Sequence, residues 1–371
     1  MLSFLYDKNK KLLKELFSNK NDLSKAEKII KKGIDINKQD ENGNSLLFLL
    51  ASQKKYKAVK LLLDNGANKY LENKFHKNPL DEACEKSDTS MVKLLLDNGY
   101  DVNHKNSIGR TILQDTAILG NEEIFNILMS YNPDFDIKDK DGRSVLFCAI
   151  NSMNLNILKH CMENVSNINE QDNNGETALF RAILKNNNLN ITNLLLSHKD
   201  IDVNILNNNG ENALFNAIIL GEENIPTIKA LIDKKINVNV VDNNHKNILE
   251  EILYIVNLQS NNLNYLEGKY KLIFIKKDYL SLAKLFVENG LNIDKLDSNG
   301  KTTLQKEIEN KNLVIADFLI KCGANINILD KNNRNILFNE ILKGYENYKT
   351  VDFLIQNGAD INIRDIEEKN C

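Results

Sequence analysis

Two kinds of short apolar run take turns along this chain. One is a compact block such as Val145-Leu146-Phe147-Cys148-Ala149-Ile150; the other is a stripe at helical spacing closed by glycine, as in Val92-Lys93-Leu94-Leu95-Leu96-Asp97-Asn98-Gly99. Ahead of each compact block stands a polar tetrad: Asp or Asn, two variable residues, then Gly, with a leucine four residues later. It recurs as Asp40-Gly43-Leu47, Asn73-His76-Leu80, Asn106-Gly109-Leu113, Asp139-Gly142-Leu146 and Asp172-Gly175-Leu179, in steps of 33 residues. The series continues at Asn207-Gly210-Leu214, Asp242-His245-Leu249, Asp297-Gly300-Leu304 and Asp330-Asn333-Leu337, with steps of 35, 35, 55 and 33. Self-similarity at such a period is the mark of a stacked-repeat architecture.

Each unit is predicted to be one turn and two short helices. The leading Asp or Asn can accept a hydrogen bond from the backbone two residues on, and Gly supplies the positive φ that closes the turn. Where Gly is replaced, the residues are His76, His245 and Asn333, types that tolerate the left-handed region better than most. Gly33, Gly66, Gly99, Gly290, Gly323 and Gly358 follow the second helices, where a left-handed cap is expected. A unit this short cannot bury its apolar face alone, so the units must stack.

The units resemble ankyrin repeats. Lys60-Leu61-Leu62-Leu63-Asp64-Asn65-Gly66-Ala67-Asn68, Leu94-Leu95-Leu96-Asp97-Asn98-Gly99-Tyr100-Asp101-Val102-Asn103 and Asn357-Gly358-Ala359-Asp360-Ile361-Asn362 follow that family's LLxxGADVN signature. The resemblance implies an all-α fold, a helix-turn-helix solenoid of paired short antiparallel helices linked by β-turn or hairpin-like loops. Nine repeats are expected over residues 40–364, a degenerate capping repeat over 1–39, and the start of a truncated tenth over 365–371. The family's TPLH tetrapeptide is eroded: its Pro survives only as Pro79, and its His gives way to Phe48, Phe147, Phe180, Phe215 and Phe338, or to Asp81, Gln114, Glu250 and Gln305. The phenylalanines are expected to pack between stacked repeats. The resemblance also implies that an Asn in the context of Asn103 can be hydroxylated.

Composition narrows the function. The chain has 371 residues, 48 Lys+Arg against 51 Asp+Glu, a net charge of -3 and 42% hydrophobic residues, which fits a chain with a core and excludes a bulk polyanion binder. Residues 1–38 carry ten Lys against five acidic residues, a basic patch without aromatic interleaving, so nucleic acid is not the expected partner. Five cysteines, Cys84, Cys148, Cys161, Cys322 and Cys371, show no CxxC spacing and are expected to be free thiols. The first residues form no apolar stretch of signal-peptide length, and no run approaches the ~18 residues of a membrane span. A soluble cytoplasmic protein is expected. The 60 asparagines are spread along the whole chain and are read as codon bias.

No HExxH, Walker loop or GxSxG elbow is present. His160 and Cys161 are neighbours, but adjacent residues on a helix diverge by about 100° and make a poor base–nucleophile pair. Glu307 and Glu340 stand one repeat apart, at a separation that stacked helices would set at about 8–10 Å; they are expected to face solvent. No enzyme activity, cofactor, metal or small-molecule substrate is therefore predicted.

What remains is a protein-binding surface. The family resemblance implies that partners contact the turn tips and the exposed ends of the first helices, which together line a concave groove. In the fifth to seventh repeats those positions are Leu184, Leu206, Ile219, Leu220, Val241, Tyr254, Ile255 and Leu296, with Asn208-Asn209 and Asn243-Asn244 at the tips. Apolar side chains rimmed by amides describe an interaction groove. A smaller candidate is Phe75, Ile108, Ile118 and Leu119 in the second and third repeats. The 55-residue step places an insertion at about 257–278, where Leu266, Tyr270, Ile273 and Phe274 share a helical face. A monomeric scaffold or adaptor binding an unidentified protein is the leading expectation; a regulatory or inhibitory subunit of an enzyme, or an effector delivered into a host cell, is the alternative.

Overall fold

The tetrads fold as the hydrogen-bonding capacity of Asp and Asn dictates. In the computed structural model, Asp40 Oδ1 accepts from Asn42 N at 2.9 Å and Asn44 N at 2.8 Å, and Asp139, Asp172, Asn207, Asp242, Asp297 and Asp330 repeat the pair. Asp365 does the same, so the tenth copy forms its turn. His76, His245 and Asn333 adopt φ of 59°, 62° and 59°, the left-handed conformation expected of the missing glycines. The structure describes residues 6–18, 22–185, 189–219, 224–260, 279–297 and 299–369.

Among the described residues the regular structure is helical, with isolated bridges at Gln39–Ser45, Gln171–Thr177 and Val241–Asn247 where hairpin-like turns were expected. Helices α1 (Tyr6–Leu16) and α2 (Ser24–Ile30) come first. The first four repeats are α3 (Leu46–Ser52) with α4 (Tyr56–Asp64), α5 (Pro79–Glu85) with α6 (Thr89–Asp97), α7 (Ile112–Leu119) with α8 (Glu122–Met129), and α9 (Val145–Ser152) with α10 (Leu155–Asn164). The fifth has α11 (Ala178–Leu184) and α12 (Leu189–Leu196), the sixth α13 (Ala213–Ile219) and α14 (Ile225–Asp233), and the seventh α15 (Ile248–Ser260) and α16 (Tyr279–Glu288). The eighth has α17 (Thr303–Glu309) and α18 (Leu313–Lys321); the ninth has α19 (Ile336–Leu342) and α20 (Tyr348–Gln356).

Contacts divide the chain into two units, Met1–Lys185 with Ser197–Ile201, and Asn186–Leu196 with Asp202–Cys371. Seven-residue helices are too short to persist alone, and each unit supplies what they lack. In the first unit α3 packs on α5, α5 on α7 and α7 on α9, while α4, α6, α8 and α10 form a second row. In the second unit α12 packs on α14, and α13 on α14 and α15. Side-chain caps hold many of the helix starts, as at Ser45, Asn78, Thr111, Ser144, Thr302 and Asn335. Phe48, Phe147, Phe180, Phe215 and Phe338 are all buried, as interior packing requires.

Asparagine does more here than codon bias would ask. Asn37, Asn103, Asn204, Asn239 and Asn327 each use Oδ1 to accept a backbone N–H from the following repeat, that of Asn68, Asp134, Asn237, Asn292 and Asp360 at 2.7–2.8 Å. Asp136 and Asp294 hold the same post toward Ser166 and Asn325. In the first unit Tyr70 fills it with its hydroxyl, which accepts from Asp101 N at 3.0 Å. The turn tips are laced in the same way: Asn173 Nδ2 donates to Lys140 O and Asn243 Nδ2 to Asn208 O, both at 2.9 Å.

This lacing leaves no room at the tip glycine of the fourth repeat. Gly142 has φ of 78°, and a Cβ there would stand 2.4 Å from Asn173 Oδ1 and 3.0 Å from Asn173 N. Gly142→Ala should therefore cost about 2 kcal/mol, part from the left-handed backbone and part from parting the tips. A lower urea midpoint at unchanged m-value would register it.

α15 runs 13 residues, beyond the seven or eight of the other first helices, so the insertion begins inside helix. Residues 261–278, including the predicted face of Leu266, Tyr270, Ile273 and Phe274, lie outside the described residues.

Candidate protein-binding cleft

The smaller of the two predicted patches closes into a cleft, in the first unit. Asn73 Oδ1 accepts from Phe75 N (2.9 Å) and Lys77 N (3.1 Å), and this tight turn throws the Phe75 ring outward, 71% exposed. One repeat on, Asn106 Oδ1 accepts from Arg110 N at 3.0 Å and presents Ile108 at the same place in its turn. α7 turns Ile112, Leu113, Thr116 and Ala117 inward, so Ile118 and Leu119 fall off its buried face, and Gly120, at φ 72°, ends the helix there. Leu119 is left 57% exposed. Phe75, Ile108, Ile118 and Leu119 thus line one cleft of about 170 Å³.

Acidic groups line it as well. Asp81, Glu85 and Asp115 share the cleft with Lys77 and Arg110. Lys77 pairs with Glu85 at 2.6 Å and Arg110 with Asp115 at 2.6 Å. Asp81 has no cation: its Oδ2 accepts from Asn78 N at 2.7 Å as half of the capping box of α5, and no ion pair includes it among the described residues. Burial is the main force that raises the Asp81 carboxyl to about 7, helped by Asp115, Glu72 and Glu85 and opposed by the Asn78 N–H. Burial also raises Asp115, against the Arg110 guanidinium.

The second unit distributes the other predicted residues differently. Leu206, Asn208, Asn209, Asn243 and Asn244 are exposed, Tyr254 is 40% exposed, and Val241 is half-buried. Ile219 and Ile255 are 0% exposed and do not line a surface. Ile219 closes α13, whose residues are all buried, and Asn224 Nδ2 donates to Ala217 O of the same helix at 2.9 Å. Ile255 lies mid-way along the lengthened α15, where the interior face continues. Leu220 lies outside the described residues, and Leu184 is half-buried in the first unit. One N–H of the Asn243 amide is engaged by the neighbouring tip.

Val241 and Leu296 do meet, with His245, Glu250 and Lys295, around a hollow of about 420 Å³. Leu296 and Leu329 line the next, of about 430 Å³. Leu329 is the residue the sequence reading passed over. Its signal was available: like Leu206, Val241 and Leu296 it stands just before a tetrad. The first unit holds Gln39, Glu72, Lys105, Lys138 and Gln171 at that place, and Gln39, Lys105 and Lys138 donate to the next repeat's carbonyl. Leucine cannot donate, so the second unit carries an apolar row where the first carries a polar ladder.

The groups weighed for catalysis are otherwise engaged. Cys161 is fully buried and burial raises its thiol, so no thiolate forms beside His160. Burial likewise raises Cys84, and pushes Cys148 up to about 12. Glu340 does not face solvent as expected; it is buried and pairs with Lys343, while Glu307 accepts from Asn312 Nδ2 at 2.9 Å. Among the described residues no His, Cys, Asp and Glu cluster could hold a metal, and no helix is long and apolar enough to cross a membrane.

Paired short helices, turn tips laced by Asn and an exposed face of tips and first-helix ends define a stacked helical-repeat protein. The sequence matches the family model for ankyrin repeats over residues 13–106, 113–207 and 272–365, and the chain belongs to the ankyrin repeat family. Ankyrin repeats are protein–protein interaction modules. Among solved structures, the ankyrin repeat domain of Bcl-3, described as a unique member of the IkappaB protein family, is similar at 22% identity and a TM-score of 0.50, covering 57% of this chain and 95% of that one. No curated protein matches the sequence.

Proposed function

We propose that this chain is a non-catalytic scaffold or adaptor that binds a partner protein through the face made by its turn tips and first-helix ends, with the Phe75–Leu119 cleft as an anchoring point. The observation that carries this reading is the pair of large apolar side chains left exposed at the mouth of a cleft. Neither is needed for stacking, and an exposed aromatic beside a concave pocket is the composition of an interface hot spot. In the second unit, Leu206, Val241, Tyr254, Leu296 and Leu329, with Asn208, Asn209, Asn243 and Asn244 at the tips, would extend the contact.

The test is affinity capture from native lysate with wild type beside a Phe75→Ser, Leu119→Ser variant. Both side chains are exposed, so helical circular dichroism and melting should be unchanged. Capture of the specific partner should fall at least about tenfold, since two anchor residues together are commonly worth more than 1.4 kcal/mol. Equal capture by the two proteins would show that the cleft is not the anchor.

A further inference from the structure

Asp81 occupies a position that five other repeats fill with buried phenylalanine, at Phe48, Phe147, Phe180, Phe215 and Phe338. Gln114, Glu250 and Gln305 fill it in three more, where, like Asp81, each accepts the N-cap backbone N–H of its own helix; Glu250 has Lys306 as its cation, whereas Asp81 has none among the described residues. The cleft is arranged so that the other acids are answered and this one is not: Glu85 has Lys77 and Asp115 has Arg110. Thr116, which lines the same cleft, is 1% exposed, and its hydroxyl, next to the Cys84 thiol, completes no hydrogen bond to nitrogen or oxygen among the described residues. Phe75, Ile108 and Leu119 line the same cleft, and Phe75 and Leu119 are its exposed side chains. A volume of about 170 Å³ suits one long side chain.

We propose that the cleft seats a single arginine side chain of the partner protein, its aliphatic stem against Phe75, Ile108 and Leu119 and its guanidinium on the Asp81 carboxylate. This rests on reading the cleft as a partner-binding site. An anionic group would be repelled by Asp81, Glu85, Asp115 and Glu72, and a purely apolar one would leave Asp81 half-buried and unpaired. A basic side chain with a long stem satisfies both sets of groups at once. Guanidinium suits the place better than ammonium because it is less strongly hydrated, presents a fork of donors to a carboxylate, and stacks on an aromatic ring such as Phe75.

Butylguanidinium is the probe, titrated into the full chain with methyl resonances of Ile108, Ile118 and Leu119 as the readout. Shifts at these methyls should saturate, with butylammonium weaker and 1-butanol weaker still. Affinity should be about tenfold higher at pH 8 than at pH 6, because Asp81 must be ionised to pair and its carboxyl titrates near 7. The charged or titratable groups that face it are Glu72, His76 and Lys77 from the second turn, Cys84 and Glu85 on α5, Tyr100 after α6, Arg110 from the third turn and Asp115 on α7. His76→Gln should keep the pH profile, whereas Asp81→Asn, whose amide oxygen can still cap Asn78, should flatten it and erase the preference for the cation. Binding of 1-butanol as tight as that of butylguanidinium, or no methyl shift at saturating probe, would overturn the proposal. If that happens while Phe75→Ser, Leu119→Ser still loses the captured partner, the arginine is wrong and the cleft stands; if capture is also indifferent to the cleft, both fall.

Discussion

Ile219→Asp is expected to unfold the sixth repeat. Ile219 is fully buried at the end of α13, so the change removes a packed isobutyl-sized group and leaves a carboxylate without a cation. The first effect costs about 2–4 kcal/mol by analogy with large-to-small core changes, and the unpaired charge adds several more. In a stacked-repeat chain stability is close to a sum of repeat and interface contributions, so the loss should appear as a separate early transition, not as a uniform shift. Circular dichroism at 222 nm against urea would show part of the helical signal melting first. Leu206→Asp is the control: the side chain is exposed, and the curve should move by less than about 0.5 kcal/mol. An Ile219→Asp curve that overlays wild type would mean that α13 does not bury this residue.

The contrast between Ile219 and Leu119 explains why the turns were legible in the sequence and the site was not. A tetrad is local: whether Asp40 or Asp365 bonds the backbone two and four residues on depends only on the intervening residues, and His76, His245 and Asn333 at positive φ follow from the same rule. The helices were legible because the apolar stripe is local too. Exposure at a helix end is not. Ile118 and Ile219 share one register position, and Leu119 and Ile255 share the next, yet Leu119 faces solvent while Ile219 and Ile255 are enclosed. The chain that follows differs at each: Gly120 ends α7 at once, Asn224 Nδ2 donates to Ala217 O of α13, and α15 simply continues. Asparagine was misread for the opposite reason. Its count is uninformative, but its placement at 37, 103, 204, 239 and 327 joins each repeat to the next.

Asp81→Asn should make the protein more stable at alkaline pH and leave it nearly unchanged in acid. A free aspartate titrates near 3.9, whereas the folded chain holds the Asp81 carboxyl near 7. Between those values the native state binds a proton that the unfolded state has released. The stability slope with pH is then negative: the contribution is complete below about pH 4 and lost as pH rises through about 7. From pH 5 to pH 8 wild type should lose about 2–3 kcal/mol that the variant keeps. Glu170 and Glu307 are also raised by burial, but they are common to both proteins and cancel in the difference; Asp115 is coupled to Asp81, and its relief in the variant acts in the same direction. Urea unfolding at pH 5 and pH 8 measures it, and parallel slopes for the two proteins would show that Asp81 ionises in the folded state as freely as in the unfolded one. The instability has a functional corollary. A half-buried carboxylate that weakens the free protein at pH 8 is the group whose pairing with a cation recovers the most, so ligand stabilisation by butylguanidinium should be larger for wild type than for Asp81→Asn, and larger at pH 8 than at pH 5.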